Sequence, residues 1–272
     1  MPATEHTFVS SPALSLAEPL AGAMRPALLA GEFQVHYQPV VTPDGSLHGC
    51  EALVRWPRGG APSSPAEFIP IAERTGMIVE LGAFVLREAM LQHRRFVQAG
   101  LGGVHLNVNV SPCQMEIPGF ADRLEDMLIA FELPANLLTL ELTEGAVIAD
   151  IHAVAREMAC VQELGVRFAL DDYGTGQSGL TYLRTFPISS LKIDRSFVQD
   201  MATGKSMAIV KSVVDLAKTL ELDVVAEGIE TVTQAESVSN LGVEFLQGYL
   251  FGRPMSGDDF IARLSPASRT YS

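Results

Sequence analysis

Short β-rich runs alternate with helical segments along most of this 272-residue chain. The helical spacing is clearest in residues 206–220, where an apolar stripe is formed by Val210, Val213, Val214 and Ala217. Similar spacing marks 79–98, 119–132 and 151–164, and strand-like runs occupy 33–41, 47–54, 104–110, 137–142, 166–171, 190–194, 223–227 and 243–247. This alternation predicts parallel strand pairing and the α/β class.

The number of units favours a barrel over an open sheet. About eight strand–helix units in about 250 residues are typical of a TIM-like (β/α)8 barrel, whereas an open doubly wound sheet usually has fewer strands. No glycine-rich dinucleotide fingerprint follows the first strand, which also disfavours a Rossmann fold. We predict one domain over residues 18–264, with 1–17 as a flexible N-terminal leader and 265–272 as a C-terminal tail.

Polar side chains stand at the carboxyl ends of seven of the eight predicted strands: Glu51, Asn109, Glu141, Asp171 with Asp172, Lys192, Glu227 and Gln247. Each has a structural explanation by itself, such as a helix cap for Asp171 or Asp172, a solvated strand end for Glu141, or a surface-reaching Lys192. Taken together they favour a functional site, because strand ends in a barrel converge on the one face where active sites lie.

The chemistry of this series points to metal ions. Five carboxylates and one carboxamide in a small space repel one another unless hard cations neutralise them. Oxygen ligands select Mg²⁺ or Mn²⁺, and the near absence of neighbouring Cys and His disfavours zinc. The adjacent Asp171 and Asp172 offer a bridging ligand, so the pattern suggests two metals that activate a water for attack on a phosphodiester. A nearby lysine can orient that hydroxide.

Composition narrows the class further. The formal net charge of −13 disfavours binding of long nucleic acid, which needs a basic surface. Three widely spaced cysteines without a CxxC pair argue against a disulfide framework, and Cys50 and Cys113 are interpreted as inert packing thiols. No apolar stretch is long enough to span a bilayer, and Glu5 and Glu18 interrupt any signal-peptide pattern. We therefore expect a cytoplasmic location.

An ordered series of motifs runs along the chain, beginning with Glu-Ala-Leu-Val-Arg-Trp at 51–56. The others are Tyr37-Gln38-Pro39, Phe68-Ile69-Pro70, Val108-Asn109-Val110-Ser111, Glu141-Leu142-Thr143-Glu144, Asp171-Asp172-Tyr173-Gly174-Thr175-Gly176, Leu191-Lys192-Ile193-Asp194, Ala226-Glu227-Gly228-Ile229-Glu230-Thr231 and Gln247-Gly248-Tyr249. In this order they resemble the EAL-domain family, over about residues 18 to 264.

The resemblance implies a barrel whose first strand is antiparallel to the others, and hydrolysis of cyclic di-GMP to linear pGpG with Mg²⁺ or Mn²⁺. It implies one metal held by Glu51, Asn109, Glu141 and Asp171, and a second held by Asp171, Asp172 and Glu227. The roles it implies for the remaining residues are contact with the attacking water for Lys192, stabilisation of the loop after the aspartates for Glu144, and nucleotide binding for Gln38, Arg55 and Gln247.

Three residues of that loop depart from the family pattern, which usually has Phe, Tyr and Ser where this chain has Tyr173, Gln177 and Gly179. The first change keeps an aromatic ring. The others remove an aromatic group and, we expect, add backbone freedom at the glycine, which can lower turnover. Two further residues are interpreted structurally: His105 as a satisfied residue at the barrel rim, and Trp56 as packing beneath the site.

Alternatives to an active phosphodiesterase stay open. The chain can be a sensor that binds cyclic di-GMP with little turnover, or a protein-interaction domain that no longer binds nucleotide. A phosphodiesterase for another cyclic dinucleotide is also compatible with the metal ligands, which say little about the base. The resemblance further implies a homodimer and a sensory or GGDEF partner domain or protein.

Overall fold

Among the residues that the structure describes, eight strands close into a barrel and a ninth forms a hairpin beside it. The computed structural model describes residues 12–58, 61–146, 148–176, 178–201 and 203–264. The barrel strands are β1 (Gln34–Val41), β2 (Leu47–Arg58), β4 (His105–Asn109), β5 (Leu138–Thr143), β6 (Arg167–Tyr173), β7 (Ser190–Ile193), β8 (Asp223–Ala226) and β9 (Phe245–Gln247); the hairpin strand is β3 (Ala61–Ser63). The predicted barrel is confirmed.

The first strand runs antiparallel to both of its neighbours. In β1, Tyr37 pairs with Ala52 of β2, and Val40 pairs with Gln247 of β9, while the other barrel strands pair in parallel. A short turn joins β1 to β2, closed by a hydrogen bond from Thr42 N to Ser46 O of 2.9 Å. Such a connection permits only antiparallel pairing, so the expectation drawn from the resemblance is confirmed.

Strand β2 is longer than the sequence suggested. It continues to Arg58 and pairs with β3 through Trp56 and Ser63. As a consequence, Glu51 lies in the middle of β2 rather than at its end, and the prediction of its place in the strand is wrong. The cause is the hairpin, which supplies backbone partners beyond the barrel rim.

Eleven helices surround or extend the sheet in the described ranges: α1 (Pro12–Leu29), α2 (Pro65–Thr75), α3 (Ile78–Gln98), α4 (Pro112–Met115), α5 (Phe120–Phe131), α6 (Ile151–Glu163), α7 (Gly179–Thr185), α8 (Arg195–Gln199), α9 (Gly204–Thr219), α10 (Val232–Leu241) and α11 (Gly257–Leu264). The four predicted helices are present as α3, α5, α6 and α9. None of the helices in these ranges is long and apolar enough to cross a membrane.

The two chain ends bear on the predicted domain limits. Helix α1 begins at Pro12, inside the stretch 1–17 that the sequence suggested as a leader. Residues 1–11 and the predicted tail 265–272 lie outside the described residues. The proposed division of the chain at residue 18 therefore cuts through a helix.

Two apolar cores support the barrel. The larger lies between the sheet and the helices and includes Leu106, Leu140 and Phe168, all fully buried. The smaller packs α1, α2 and β2 around Trp56, whose ring stacks on Phe33 with ring centroids 4.8 Å apart. Trp56 is fully buried there, which confirms that it packs rather than binding a base.

The cysteines are unpaired, as the sequence indicated. Cys50 is buried, Cys113 is half-buried and Cys160 is exposed, and all three are free thiols. Burial, and then the charge of Glu51, raises the pKa of the Cys50 thiol well above its ordinary value. A thiol that stays protonated is a poor nucleophile, so the interpretation of Cys50 as a packing residue holds.

Stacked rings close the amino-terminal floor of the barrel. The His48 ring lies between His105 and Phe245, with centroid distances of 4.3 and 3.9 Å. Beside them Arg167 pairs with Asp223, with NH2 2.5 Å from Oδ2. His105 is thus a structural residue of the floor, at the opposite end from the carboxyl ends of the strands.

The imidazoles of this floor are expected to make folding stability depend on pH. Burial, and then the charge of His105, lowers the pKa of His48 from 6.5 to about 4. The unfolded chain therefore binds the proton first, and stability present above the unfolded pKa is lost as the pH falls towards the folded one. We expect the free energy of unfolding to fall less between these pH values in His48→Phe than in the wild type.

Urea unfolding at neutral and acidic pH measures this difference. His152→Phe, at an exposed position outside the stacked rings, is the control for replacing a histidine by phenylalanine. An equal pH dependence of unfolding in His48→Phe and the wild type would contradict the assignment.

Candidate active site

Lys192 of β7 is fully buried at the centre of four carboxylates. Its Nζ lies 2.7 Å from Glu227 Oε1, 2.9 Å from Glu141 Oε2, 3.2 Å from Asp171 Oδ1 and 3.5 Å from Glu51 Oε2. Burial alone lowers the pKa of Lys192, but the four anionic neighbours raise it well above its ordinary value. The lysine is therefore a charged group inside the cluster, not a residue that reaches the surface.

Side-chain amides orient Glu51 from two sides. Asn109 Nδ2 donates to Glu51 Oε1 and Gln247 Nε2 donates to Glu51 Oε2, each at 2.7 Å. Gln247 Nε2 also donates to Gln38 Oε1 at 3.2 Å, and Gln38 Nε2 donates to Gly252 O at 3.1 Å. Although burial raises the pKa of Glu51, the charge of Lys192 and these amides bring it below its ordinary value.

A β-bulge brings two adjacent aspartates to the same site. Strand β6 pairs regularly with β7 up to Leu170, and pairing resumes only at Tyr173. Between them Asp172 adopts a left-handed backbone conformation with φ of 54°. Neighbouring residues of a regular strand point to opposite faces, and the extra residue of a bulge re-aims one of them. The bulge therefore allows both Asp171 and Asp172 to contribute a ligand atom.

The carboxylates form two groups of three that share Asp171: Glu51, Glu141 and Asp171 in one, and Asp171, Asp172 and Glu227 in the other. Within each group, one oxygen of every residue lies within 4.8 Å of the others. The carboxylates predicted from the sequence are thus brought together, and Asp171 belongs to both groups. Asn109 joins the first group through its hydrogen bond to Glu51.

The net charge of the cluster and an unpartnered oxygen of Glu141 both fit the binding of divalent cations. The five carboxyl groups surround a single ammonium, which leaves four negative charges when all are ionised, the charge that two divalent cations neutralise. Glu141 Oε1 is buried and has no hydrogen-bond partner among the described residues, so it is an acceptor available to an ion. Oxygen donors of this kind suit Mg²⁺ and Mn²⁺.

Without cations, four of the five carboxyl groups have a raised pKa and hold protons more tightly than ordinary carboxylates do, whereas Glu51 does not. Burial, followed by the charge of Asp171, raises the pKa of Asp172 to about 6 and that of Glu227 to about 8. Burial likewise raises the pKa of Glu141, with Lys192 opposing it. Perturbed carboxylates that meet in a cleft are typical of functional sites.

Glu144 connects the end of β5 to the loop that follows the two aspartates. Its buried carboxylate accepts backbone hydrogen bonds from Gly174 N (2.8 Å) and Gly176 N (3.1 Å) at Oε2, and from Gly179 N (2.9 Å) at Oε1. A carboxylate with three N–H donors holds a loop firmly. This is the geometry that the predicted loop-stabilising role requires.

At the loop positions where this chain departs from the family pattern, the structure differs from what the sequence suggested. Gly179 packs tightly, because a Cβ there would lie 2.7 Å from Tyr173 Cε2. The interpretation of Gly179 as a source of backbone freedom is therefore not supported; the glycine permits a close approach. Tyr173 is buried, as an aromatic residue at its position should be. Gln177 lies outside the described residues.

Two cavities flank the carboxylate cluster, and Glu51 and Asp171 line both. The smaller, of about 240 Å³, is lined by Gln38 and Gln247. The larger, of about 620 Å³, is lined by Arg55, whose NH1 donates to Val54 O at 2.9 Å. The predicted nucleotide-binding residues thus lie on opposite sides of the cluster.

Sequence reasoning gave no role to several lining residues. Arg195, Glu230 and Tyr249 line the smaller cavity, and Glu73 and Ser111 line the larger. Ser111 Oγ donates to Glu73 Oε1 at 2.8 Å. Ser111, Glu230 and Tyr249 stand in motifs quoted above, and positions just after strand ends, or on α2 in the case of Glu73, were a further signal in the sequence.

The sequence matches the family described as EAL domain over residues 21–254. Over 246 residues it is 39% identical to the bifunctional diguanylate cyclase/cyclic di-GMP phosphodiesterase MucR of Pseudomonas aeruginosa, with 89% of this chain and 36% of MucR covered. The chain spans about a third of the length of the curated relatives it matches.

Solved structures show the same likeness. The PaMucR phosphodiesterase in its c-di-GMP complex has a TM-score of 0.83 at 39% identity, covering 89% of this chain and 99% of that one. The EAL enzyme Bd1971, with cAMP and cyclic di-GMP bound, has a TM-score of 0.86 at 32% identity, covering 94% and 70%.

Replacing the buried Lys192 by an uncharged residue should destabilise the metal-free protein. Lys192→Met leaves three buried carboxylates and the half-buried Glu227 without their partner, and breaking a buried ion pair costs about 3–5 kcal/mol. We expect the melting temperature in the presence of a chelator to fall by about 10 °C. Lys211→Met, which breaks only the exposed pair with Asp215, is the control. A Lys192→Met melting temperature equal to that of the control would contradict the proposed charge balance.

Binding of a divalent cation should release protons. Because Asp172 and Glu227 have pKa values of about 6 and about 8, and metal ligands must be deprotonated, affinity for Mn²⁺ should rise across this pH range. Calorimetric titrations near pH 7, in two buffers of different ionisation enthalpy, should give different heats. Glu227→Gln should lose most of that difference. Identical heats for the wild type in both buffers would refute proton release.

Proposed function

The chain belongs to the EAL domain family, and from that premise we propose that it is a metal-dependent phosphodiesterase that hydrolyses cyclic di-GMP to linear pGpG. One observation carries the proposal. The two groups of three carboxylates share Asp171 and lie around the buried Lys192, so none of the expected carboxylate ligands is missing. MucR, which is named a cyclic di-GMP phosphodiesterase, supports the choice of substrate.

We propose that Glu51, Asn109, Glu141 and Asp171 hold one Mg²⁺ or Mn²⁺ ion, and that Asp171, Asp172 and Glu227 hold a second. When bound, such a pair lowers the pKa of a coordinated water and neutralises charge that develops on the phosphodiester. The protein contributes the placement of the ligands. Glu51 is oriented by two amides, and Asp172 by the bulge and by the loop that Glu144 holds.

Lys192 is proposed to orient the attacking water. Its ammonium lies within 3.5 Å of an oxygen of each of four carboxylates. A group in this position can donate a hydrogen bond to the water and offset negative charge at the phosphate. Because Lys192 stays protonated, it acts as a donor and a positive charge rather than as the base.

The substrate is proposed to lie across the carboxylate cluster. A cyclic dinucleotide carries two bases on a ring with two phosphates, and the cavities of about 240 and 620 Å³ extend to either side of Glu51 and Asp171. Gln38 and Gln247 would contact one half. Arg55 would contact the other, where its planar guanidinium suits a phosphate or a guanine edge. The homodimer and a GGDEF or sensory partner stay predictions.

Product analysis tests the proposal. Purified protein with Mn²⁺ should convert cyclic di-GMP to pGpG, followed chromatographically, and omission of the metal should stop the reaction. Glu51→Gln removes a ligand charge, and we expect the rate to fall by at least about 100-fold. Glu236→Gln, on the exposed face of α10, should keep the wild-type rate.

Other outcomes select the alternatives. Nucleotide binding by the metal-loaded wild type without any product would identify a cyclic di-GMP sensor. Absence of both binding and product would leave a protein-interaction domain. Cleavage of a different cyclic dinucleotide in preference would correct the substrate while keeping the chemistry.

A further inference from the structure

Two glycines flank the carboxylate of Glu144 so closely that a side chain at either position would crowd it. A Cβ at Gly179 would lie 2.7 Å from Tyr173 Cε2 and 2.9 Å from Glu144 Oε1. A Cβ at Gly176 would lie 3.0 Å from Glu144 Cδ. Contacts below 3.0 Å are too short for a carbon atom, so the demand for glycine is stricter at position 179.

The Glu144 carboxylate beside Gly179 has little freedom to move aside. Tyr173 is 8% exposed and Glu144 is 4% exposed. The Tyr173 backbone pairs with Ile193 in the sheet, and both Glu144 oxygens are engaged by backbone N–H groups. A side chain at position 179 would therefore displace the Glu144 carboxylate or the Tyr173 ring, at the expense of those hydrogen bonds.

The carboxylate of Glu144 in turn holds the segment next to Asp172. It accepts from Gly174 N and Gly176 N, while Thr175 Oγ1 donates to Asp172 O at 2.8 Å. Asp172 has a φ of 54°, a left-handed conformation that is uncommon for residues with a side chain. Loss of the two amide contacts would remove support from the segment that holds Asp172 in this conformation.

We infer that Gly179 is a positioning residue of the metal centre, which acts through the Glu144 carboxylate to hold Asp172 beside Asp171 and Glu227. The inference rests on the proposed function in one respect, namely that this carboxylate group binds a metal ion. It concerns the second group, because Asp172 lies within the segment that these hydrogen bonds hold, whereas Glu51 lies on β2 and Glu141 lies within the paired part of β5.

A strict need for glycine at position 179 has a different consequence from a preference for any small residue. The resemblance leads one to expect serine at position 179, yet in this chain a serine Cβ would overlap the Tyr173 ring and Glu144. Gly179→Ser is therefore expected to impair the centre rather than restore it. Gly179→Ala should do the same, since the Cβ alone causes the overlap.

Mn²⁺ titration calorimetry on the full chain, without nucleotide, is the first measurement. In Gly179→Ser and Gly179→Ala, affinity for the second ion should fall by about tenfold or more, in line with the loss of a partner that orients a ligand. Affinity for the first ion should change little. Gly103→Ser is the matched control, because a Cβ there meets nothing within 4 Å.

Amide hydrogen exchange in the metal-free protein is the second measurement. Exchange at Gly174 and Gly176 should be faster in Gly179→Ala than in the wild type and unchanged in Gly103→Ser. Wild-type exchange together with two wild-type Mn²⁺ affinities in both Gly179 variants would overturn the inference. An equal loss of affinity for both ions would also overturn the inference, since that result indicates a general loss of structure.

The two proposals fail in different ways. If the wild type binds no Mn²⁺, the proposed function fails and the metal part of this inference with it, while amide exchange still decides whether Gly179 holds the loop. If the Gly179 variants do not fold, Gly176→Ala takes their place, because its overlap with Glu144 is milder. Gly176→Ala should lower the affinity for the second ion by a smaller factor, and an unchanged affinity would overturn the inference.

Discussion

Five carboxyl groups around one buried ammonium are the constraint on which the rest of this structure depends. Removing such groups from water is costly unless their charges are matched. Lys192 matches only part of that charge, although it lies within 3.5 Å of four of the acids. Rigid strands must hold the groups together despite their repulsion. The remaining charge makes the cluster a site for divalent cations, and its raised pKa values are the expression of the same imbalance.

The barrel meets this constraint by dividing the cluster among its strands. Parallel strands bring their side chains to one end, so residues far apart in the chain contribute one group each. The second group needs more, because Asp171 and Asp172 are adjacent and a regular strand would separate them. A bulge and a left-handed residue solve this locally, and the Glu144 carboxylate holds the resulting loop with three backbone hydrogen bonds. The irregular backbone of the barrel therefore lies at the carboxylate cluster.

The opposite end of the barrel carries a different kind of polar group. His48 is stacked between two rings, and Arg167 pairs with Asp223. Here the imidazoles remain neutral because burial disfavours their charged form. Apolar strand residues such as Leu106 and Leu140 are buried in the core between the sheet and the surrounding helices. The stacked rings and the carboxylate cluster thus occupy opposite ends of one barrel.

The sequence by itself determined the barrel, the acidic and amide residues of the cluster and the order in which the strands supply them. Alternating periodicity and polar residues near strand ends are local properties, whereas the antiparallel first strand was implied by the family resemblance and is explained by the turn at Thr42–Ser46. Only the tertiary structure decided that Glu51 lies within a longer β2, that Lys192 contacts four acids, and that Gly179 packs against Tyr173 and Glu144. These depend on distances between atoms remote in the chain, and spacing along the sequence does not encode such distances.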